Sequence, residues 1–555
     1  MDRMSSKDLE ATRSIAVFLE SLETMKRTGF DEEDGWKLWC MDWLRTSSDP
    51  DTSLEMKVHV AKSSLSRMKS IAKVLESVSA SLESSIDHVA NESRDMIRVS
   101  GFSSLPDDVI ARIFELYHEE YRNLVGEGDA KNWGKSFRAP NVLTQVCKRF
   151  RQVALHIPAL WDCVSGRTRH AREMIPILMD RCQYPTVFLD YDFFQEPNTS
   201  NSADFLRILP PASQWRGLAI FHGRTEGSRE FFEDIHAFSN GRLDNLLDLR
   251  IAHVGETPDE DEDDGEDGDE STNIYENDAA FLAEWRLPKL KRLTLSNIIP
   301  TRMDCPNLQE CRIDLGTNKV HWDIHTLKKF FLCIPLLESL SFSFCNDIPD
   351  EGDIHNHMQM HLFEPVRLSR LRSLELNVTK ETEGSFLRNV LDILDLSTIS
   401  RLRVSLLYAR NNTKDLASCL AGWLFGISFT NTNSHRVFPN VKDFHLALHK
   451  EYKECALPYG NLMRCLPQVR NLELNLPEIS EPSFILVFKY LKELRSIRLD
   501  DRNSSHRYYL ADDFERVDQQ KLDQLERFEI EGGGSLWGQK DRLERRLESK
   551  LIWRT

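Results

Sequence analysis

The sequence has no run of eighteen apolar residues, so no segment reads as a transmembrane helix. Its first residues, MDRMSSKDLEATRS, lack the apolar core of a secretory signal. No Cys-x-x-Cys pair occurs, and the eleven cysteines are odd in number and scattered. Zinc sites and disulfide frameworks use tighter spacing, so no metal is expected. The thiols read as reduced side chains packed in a cytoplasmic or nuclear protein. Positive charge is in deficit: 71 basic against 88 acidic residues leave −17, which disfavours nucleic acid and anionic membranes as partners. Gly-x-Ser-x-Gly, His-Glu-x-x-His and the dinucleotide fingerprint are all missing. Gly532-Gly-Gly has no Gly-Lys-Ser sequel and is no phosphate loop. Together these absences point to a non-enzyme with no cofactor.

What is present is an ordinary globular composition, 41% apolar and 29% charged, over 555 residues. That length predicts two to four domains or a repeat array. The first hundred residues form a helical region. Ile15, Phe18, Leu19 and Leu22, then Trp36, Leu38, Trp39, Trp43 and Leu44, carry helix-like spacing, broken by Gly29 and Asp31–Asp34. From Leu54 to Val89 a heptad runs through Leu54, Val58, Ala61, Leu65, Met68, Ala72, Leu75, Ser79, Leu82, Ile86 and Val89. Such a seam needs a partner helix. The faces in 6–46 favour packing within the chain, and a second chain is the alternative.

Residues 101–165 form the segment around which the chain is organised. LPDDVIARIFELYHEEY starts at Leu105, with Pro106 at a first helical position and Asp107 and Asp108 in the first turn. Val109, Ile110, Ile113, Phe114 and Tyr117 follow at helical spacing. NVLTQVCKRFRQVALHIPALWDCV adds Leu143, Val146, Cys147, Phe150 and Val153, and Pro158 opens a short element bearing Leu160 and Trp161. Three short helices cannot hide this much apolar surface among themselves. Either they pack on neighbours or they dock a partner. Cys147 beside Lys148 and Arg149 suits a lowered thiol pKa, but packing explains the same residue.

"LPDDVIARIFEL" followed by "VCKRFRQVALHIPALW" resembles an F-box of the fungal F-box-like kind. The resemblance covers about sixty residues. It implies a three-helix domain that docks a Skp1-like adaptor and thereby joins a cullin-based ubiquitin ligase. By that resemblance Leu105, Pro106, Val109, Ile110, Ile113 and Phe114 meet the adaptor. Val142, Leu143, Val146, Cys147, Phe150, Leu160 and Trp161 supply either that interface or the packing behind it. Residues 122–139 depart from the pattern as an inserted loop, rich in glycine.

Residues 170–531 repeat a unit of apolar-x-x-apolar followed by strict alternation. LPKLKRLTLSN at Leu287, IPLLESLSFSF at Ile334, LSRLRSLELNV at Leu368 and FPNVKDFHLAL at Phe438 are clear copies. So are LPQVRNLELNL at Leu466, LKELRSIRLDD at Leu491 and LDQLERFEIEG at Leu522. Cys305, Ile399, Asp244 and Trp215 open looser copies. Alternation predicts half-buried strands, and helical faces lie between them. The pattern resembles leucine-rich repeats, though the Asn usual later in that repeat is missing from most copies. The fold expected is mainly α with an α/β solenoid: a helical region, a three-helix F-box and an irregular leucine-rich-repeat horseshoe. A doubly wound α/β domain is the alternative.

Two insertions interrupt the array. Pro258–Asp278 is densely acidic but fits no calcium-loop register, and reads as a solvated loop. Asn346–His361 gathers His355, His357 and His361 without a fourth ligand. Residues 532–555 are expected to form an amphipathic capping helix carrying Leu543, Leu547, Leu551 and Trp553.

The reading that joins these parts is a substrate-recognition adaptor of an SCF-type ubiquitin ligase, non-catalytic, with an unidentified protein target. A scaffold without a ligase is the alternative, and an enzyme hidden in an α/β domain is the third reading. Outward strand positions are the candidate target surface: Arg292, Thr294, Ser341, Ser343, Glu375, Asn377, His445, Glu473, Asn475, Arg498 and Glu529.

Overall fold

The structure is a computed structural model. It describes residues 53–125, 138–166, 171–191, 202–222, 228–253, 281–315, 324–344, 364–379, 382, 384–406, 416–430, 432, 434–448, 459–475, 484–500, 510–532 and 536–554. The helical faces of 6–46, the acidic insertion and the histidine-bearing insertion therefore lie outside the described residues. The chain divides into two compact units, Met1–Ile110 and Ala111–Thr555.

In the first unit one helix, α1 (Leu54–Ser104), runs for 51 residues, well past the expected end of the heptad. Ser53 caps it, its hydroxyl accepting from Met56 N at 3.4 Å. It stops at Leu105, which is extended because the following Pro106 disfavours the helical region for the residue before it. The boundary drawn at residue 100 thus falls inside a helix.

α2 (Asp107–Val125) is followed by α3 (Arg138–Val146), α4 (Lys148–Leu155) and a 3-10 turn at Pro158–Trp161. Residues 122–125 and 138–139, expected in a loop, are helical; 126–137 lie outside the described residues.

The second unit is mixed α/β rather than mainly α. Fourteen parallel strands form one sheet whose order follows the chain without reversal. They are β1 (Cys163–Ser165), β2 (Thr186–Asp190), β3 (Gly217–His222), β4 (Asp248–His253) and β5 (Arg292–Ser296). Next come β6 (Glu310–Leu315), β7 (Ser339–Phe344), β8 (Ser373–Val378), β9 (Arg401–Leu406) and β10 (Asp443–Leu448). β11 (Asn471–Asn475), β12 (Ser496–Asp500), β13 (Arg527–Glu531) and β14 (Leu551–Arg554) complete it. A doubly wound sheet reverses its strand order at a switch point, and this one never does.

The helices between strands are α5 (Ala171–Met179), α6 (Ser202–Ile208), α7 (Ser228–Ser239), α8 (Ile324–Leu332), α9 (Gly384–Asp392) and α10 (Leu416–Ser428). α11 (Tyr459–Arg464), α12 (Phe484–Tyr490), α13 (Leu510–Arg516), α14 (Gln519–Gln524) and α15 (Lys540–Leu547) follow. Alternate strand residues such as Leu374, Leu376 and Val378 join Leu387, Val390 and Leu391 of α9 in one continuous core. The expected single capping helix at 532–555 divides instead. α15 buries Leu543 and Leu547, then Leu551–Arg554 pair as β14, because β13 has a free edge to satisfy.

The apolar-x-x-apolar motif is a turn closed by an i to i+3 hydrogen bond. Leu290 N donates to Leu287 O, Leu371 N to Leu368 O and Leu525 N to Leu522 O. The residue just before each strand from β2 to β12 then offers one carbonyl to two amides of the next repeat. Lys291 O accepts from Gln309 N and Glu310 N, Glu338 O from Arg372 N and Ser373 N, and Arg470 O from Arg495 N and Ser496 N. Asparagine in the turn adds a side-chain link. Asn307 Nδ2 donates to Pro288 O at 2.7 Å and Asn440 Nδ2 to Ser397 O at 2.6 Å.

Helices are wider than the strand spacing, so α9 and α10 must approach closely. They do so through glycine: a Cβ on Gly384 would lie 2.0 Å from Gly422 O, and one on Gly426 2.2 Å from Gly384 O. Buried Arg436 closes the same pair. It donates to Gly426 O, Ile427 O and Arg388 O at 3.2–3.3 Å and pairs with Asp392 at 2.5 Å. One cation thus meets the carboxyl ends of both helices, where their dipoles favour positive charge.

Burial pushes the Cys305 thiol up to about 12 and that of Cys465 up to about 11, which keeps both protonated. Gly384→Ala and Gly426→Ala are each expected to destabilise the fold by about 1–3 kcal/mol through overpacking. Gly422→Ala meets open space. It is expected to raise the melting temperature slightly, because alanine is the better helix former. Thermal melts of the three variants check the contrast.

Candidate docking surfaces

The helical segment sorts its apolar residues onto two sides. Ile110, Phe114 and His118, four apart on α2, are buried. Leu143, Leu160 and Trp161 are buried as well. Within the second unit, Phe114 meets Phe150 edge-on at 5.0 Å, joining α2 to α4. Trp161 Nε1 donates to Ala154 O at 2.8 Å, and the Arg181 guanidinium lies 5.0 Å from its ring. Phe114 and Trp161 are therefore packing residues. Phe114, expected to meet an adaptor, faces inward instead, on the stripe of α2 that packs on Phe150, and Ile110, expected there too, is buried.

The residues left outside are Ile113 on α2 and Val142 and Val146 on α3, with Val109 exposed one turn before Ile113. Leu116, half exposed, belongs beside Ile113 and was missed by sequence reasoning. The same 4–3 step that runs from Val109 to Ile113 continues to it. Pro106 is exposed, and Leu105 and Phe150 are half-buried. Cys147 is exposed at the break between α3 and α4, where its sulfur accepts from Phe150 N at 3.4 Å. It caps a helix rather than packing inside one.

Behind this surface His118, Asp162 and Cys163 bring their ligand atoms within 4.8 Å of one another. His118 Nε2 lies 3.7 Å from Asp162 Oδ1, and Cys163 Sγ donates to the same oxygen at 3.4 Å. Three donors are one short of a structural zinc set, and the group forms a buried polar contact.

The second surface is the strand face opposite the main core. Register aligns Thr294, Arg312, Ser341, Glu375, Arg403, His445, Glu473, Arg498 and Glu529 in one row across β5 to β13. Seven of these were expected from sequence, and Arg312 and Arg403 complete the row. Arg403 is exposed and, among the described residues, unpaired. It sits in the alternating stretch RLRVSL, where the period-2 signal points to it. Ser343, Asn377 and Asn475 occupy a parallel row, and Arg292 pairs with Asp248 at 3.0 Å.

Toward the C-terminal end the row becomes an ion-pair ladder. His445 lies 3.2 Å from Glu473, which lies 3.5 Å from Arg498. The hydrogen bond from Arg498 to Glu531, at 2.5 Å, pushes that guanidinium further above its ordinary pKa. Glu529 pairs with Arg527 and Arg554. Two expected target residues are not accessible. Glu529 is covered because β14 pairs alongside it, and Ser343 is shielded between Asp314 and Asn377 in register. One cavity of about 450 Å³ gathers Lys289, Lys291 and Arg370 and no carboxylate, histidine or cysteine.

No protein-family model and no curated protein matches the sequence. Among solved structures, a chain from the yeast Rad7 and Elc1 complex superposes with a TM-score of 0.26 at 12% identity, covering 80% of this chain and 93% of that one. A superposition that loose carries no argument about function, so the surfaces have to speak for themselves.

Their division into packing and exposed residues has a measurable consequence. Phe114→Ala is expected to cost about 3–5 kcal/mol of stability, the range for an emptied aromatic core site. Val146→Asp and Leu116→Asp are expected to shift it by less than about 0.5 kcal/mol. Melting midpoints of the full chain distinguish the two classes.

Proposed function

We propose that this chain is the substrate-recognition subunit of an SCF-type ubiquitin ligase. The α2–α4 segment docks a Skp1-like adaptor, which brings the cullin, and the polar strand face holds a target protein. The observation that carries this reading is the exposure of Ile113, Leu116, Val142 and Val146 on helices whose other sides are packed. A helix pair that buries its core and still presents four large apolar side chains is built to be covered.

The chain does no chemistry in this reading. It raises the effective concentration of a target near activated ubiquitin, which replaces a bimolecular encounter by a tethered one. The row from Thr294 to Arg498 suits a protein partner. It presents hydroxyl, carboxylate, imidazole and guanidinium groups at strand spacing, with Arg403 unpaired among the described residues. Such a complex works in the cytoplasm or the nucleus and needs neither membrane nor nucleic acid.

The wild-type chain is expected to retain a Skp1-like adaptor in a pull-down. Ile113→Asp combined with Val146→Asp is expected to weaken that binding by about 100-fold or more, the effect of losing interface anchors, with melting unchanged. Unaltered binding by the double variant places the docking site elsewhere. Failure of the wild-type chain to retain any such adaptor overturns the ligase reading and leaves a scaffold.

A further inference from the structure

Among the described residues, much of the seam of α1 is uncovered. Leu54, Val58, Leu65, Leu82, Ile86 and Val89 are all exposed, at 45–78% of their full surface. A 3.5-residue apolar repeat of this length is the pattern of a coiled coil, which forms only against a second helix. The charges beside the seam say which one. Each position following a seam residue of the Leu54, Ala61, Met68 series lies on one edge of the helix. Between its end positions, Glu55 and Ala90, that edge reads Lys62, Lys69, Glu76, Glu83. The first half of this middle stretch is basic and the second half acidic. All four side chains are exposed and, among the described residues, none has an ion-pair or hydrogen-bond partner.

We propose that α1 pairs with α1 of a second copy of this chain as an antiparallel coiled coil centred between residues 73 and 74. Running the second helix backwards places Val58 in a layer with Val89 of the second copy, Leu65 with its Leu82 and Ala61 with its Ile86. In that register Lys62 meets Glu83 of the second copy and Lys69 meets its Glu76. Two-fold symmetry repeats each pair. Sliding the helices by one heptad in either direction brings Lys69 against Lys69 or Glu76 against Glu76. A parallel in-register pair sets Lys57 against Lys62 and gives Lys69 and Glu76 only Ser64 and Ile71 as neighbours. The segregated edge is therefore complementary to itself in one orientation and one register.

This pairing is independent of the ligase reading. Sedimentation of the full chain at micromolar concentration is expected to show twice its 64.4 kDa mass. Lys62→Glu with Lys69→Glu sets glutamate against glutamate across the interface, and is expected to raise the dimer dissociation constant about tenfold or more. Adding Glu76→Lys and Glu83→Lys restores opposite charges and is expected to restore the wild-type constant. Helical content by circular dichroism is expected to stay level throughout, so that the shift reports pairing. A monomeric wild type, as packing on residues 6–46 of the same chain would give, overturns the proposal. So does a dimer indifferent to the reversal, or one that the four-fold swap fails to restore.

Discussion

A single backbone carbonyl before each strand from β2 to β12, shared by two amides of the next repeat, sets the terms for the array. It fixes neighbouring turns at the spacing of a parallel sheet, roughly 4.8 Å. The apolar pair flanking each turn is then drawn into the core, and the strand that follows can only continue in register. Helices are about twice as wide as that spacing, so the layer behind the sheet has to adapt. Between β5 and β6 no helix is present among the described residues. Between β8 and β10 two helices pass almost backbone to backbone at Gly384, Gly422 and Gly426. Arg436 then serves carbonyls toward the ends of both helices.

The two surfaces differ in chemistry for reasons rooted in the same backbone. On α2 and α3 a helix offers its core only a stripe, and a sequence apolar around more than that stripe must leave residues outside. Ile113 and Val146 are what is left. On the sheet, pleating alternates residues strictly, so the outward row is polar wherever the inward row is leucine. Much of its charge is spent internally. Glu473, Arg498, Glu529 and Glu531 are engaged with one another or with flanking arginines. Among the described residues, Arg403 is the guanidinium of the row with no ion-pair partner.

The strands were the most legible part of the sequence. Every clear copy of the unit, from Leu287 to Leu522, leads into a strand, because the pattern encodes both the turn and the pleat. β2 was not legible: Val187, Phe188 and Leu189 are all buried, so alternation vanishes where both faces are covered. β14 was read as helix because Leu547, Leu551 and Trp553 keep a plausible helical step. The free edge of β13, invisible in the local sequence, decides otherwise. On α2 the spacing showed a helix but not its orientation. Burial of Phe114, and exposure of Ile113 and Leu116, depend on where Phe150 and its neighbours lie. The asparagine sought late in the repeat instead works in the turn, at Asn307 and Asn440, where it reaches back one repeat.

Strand order that follows chain order has a consequence for descent. No strand depends on one distant in sequence, so a duplicated or deleted unit alters the length of the sheet without rewiring the rest. An architecture of this kind can diverge quickly in number of units, loop length and outward residues while its turns and inward leucines hold the form. The acidic and histidine-bearing insertions between repeats are the sort of change such a chain tolerates. In this fold the grammar of each unit is constrained and the number of units is not.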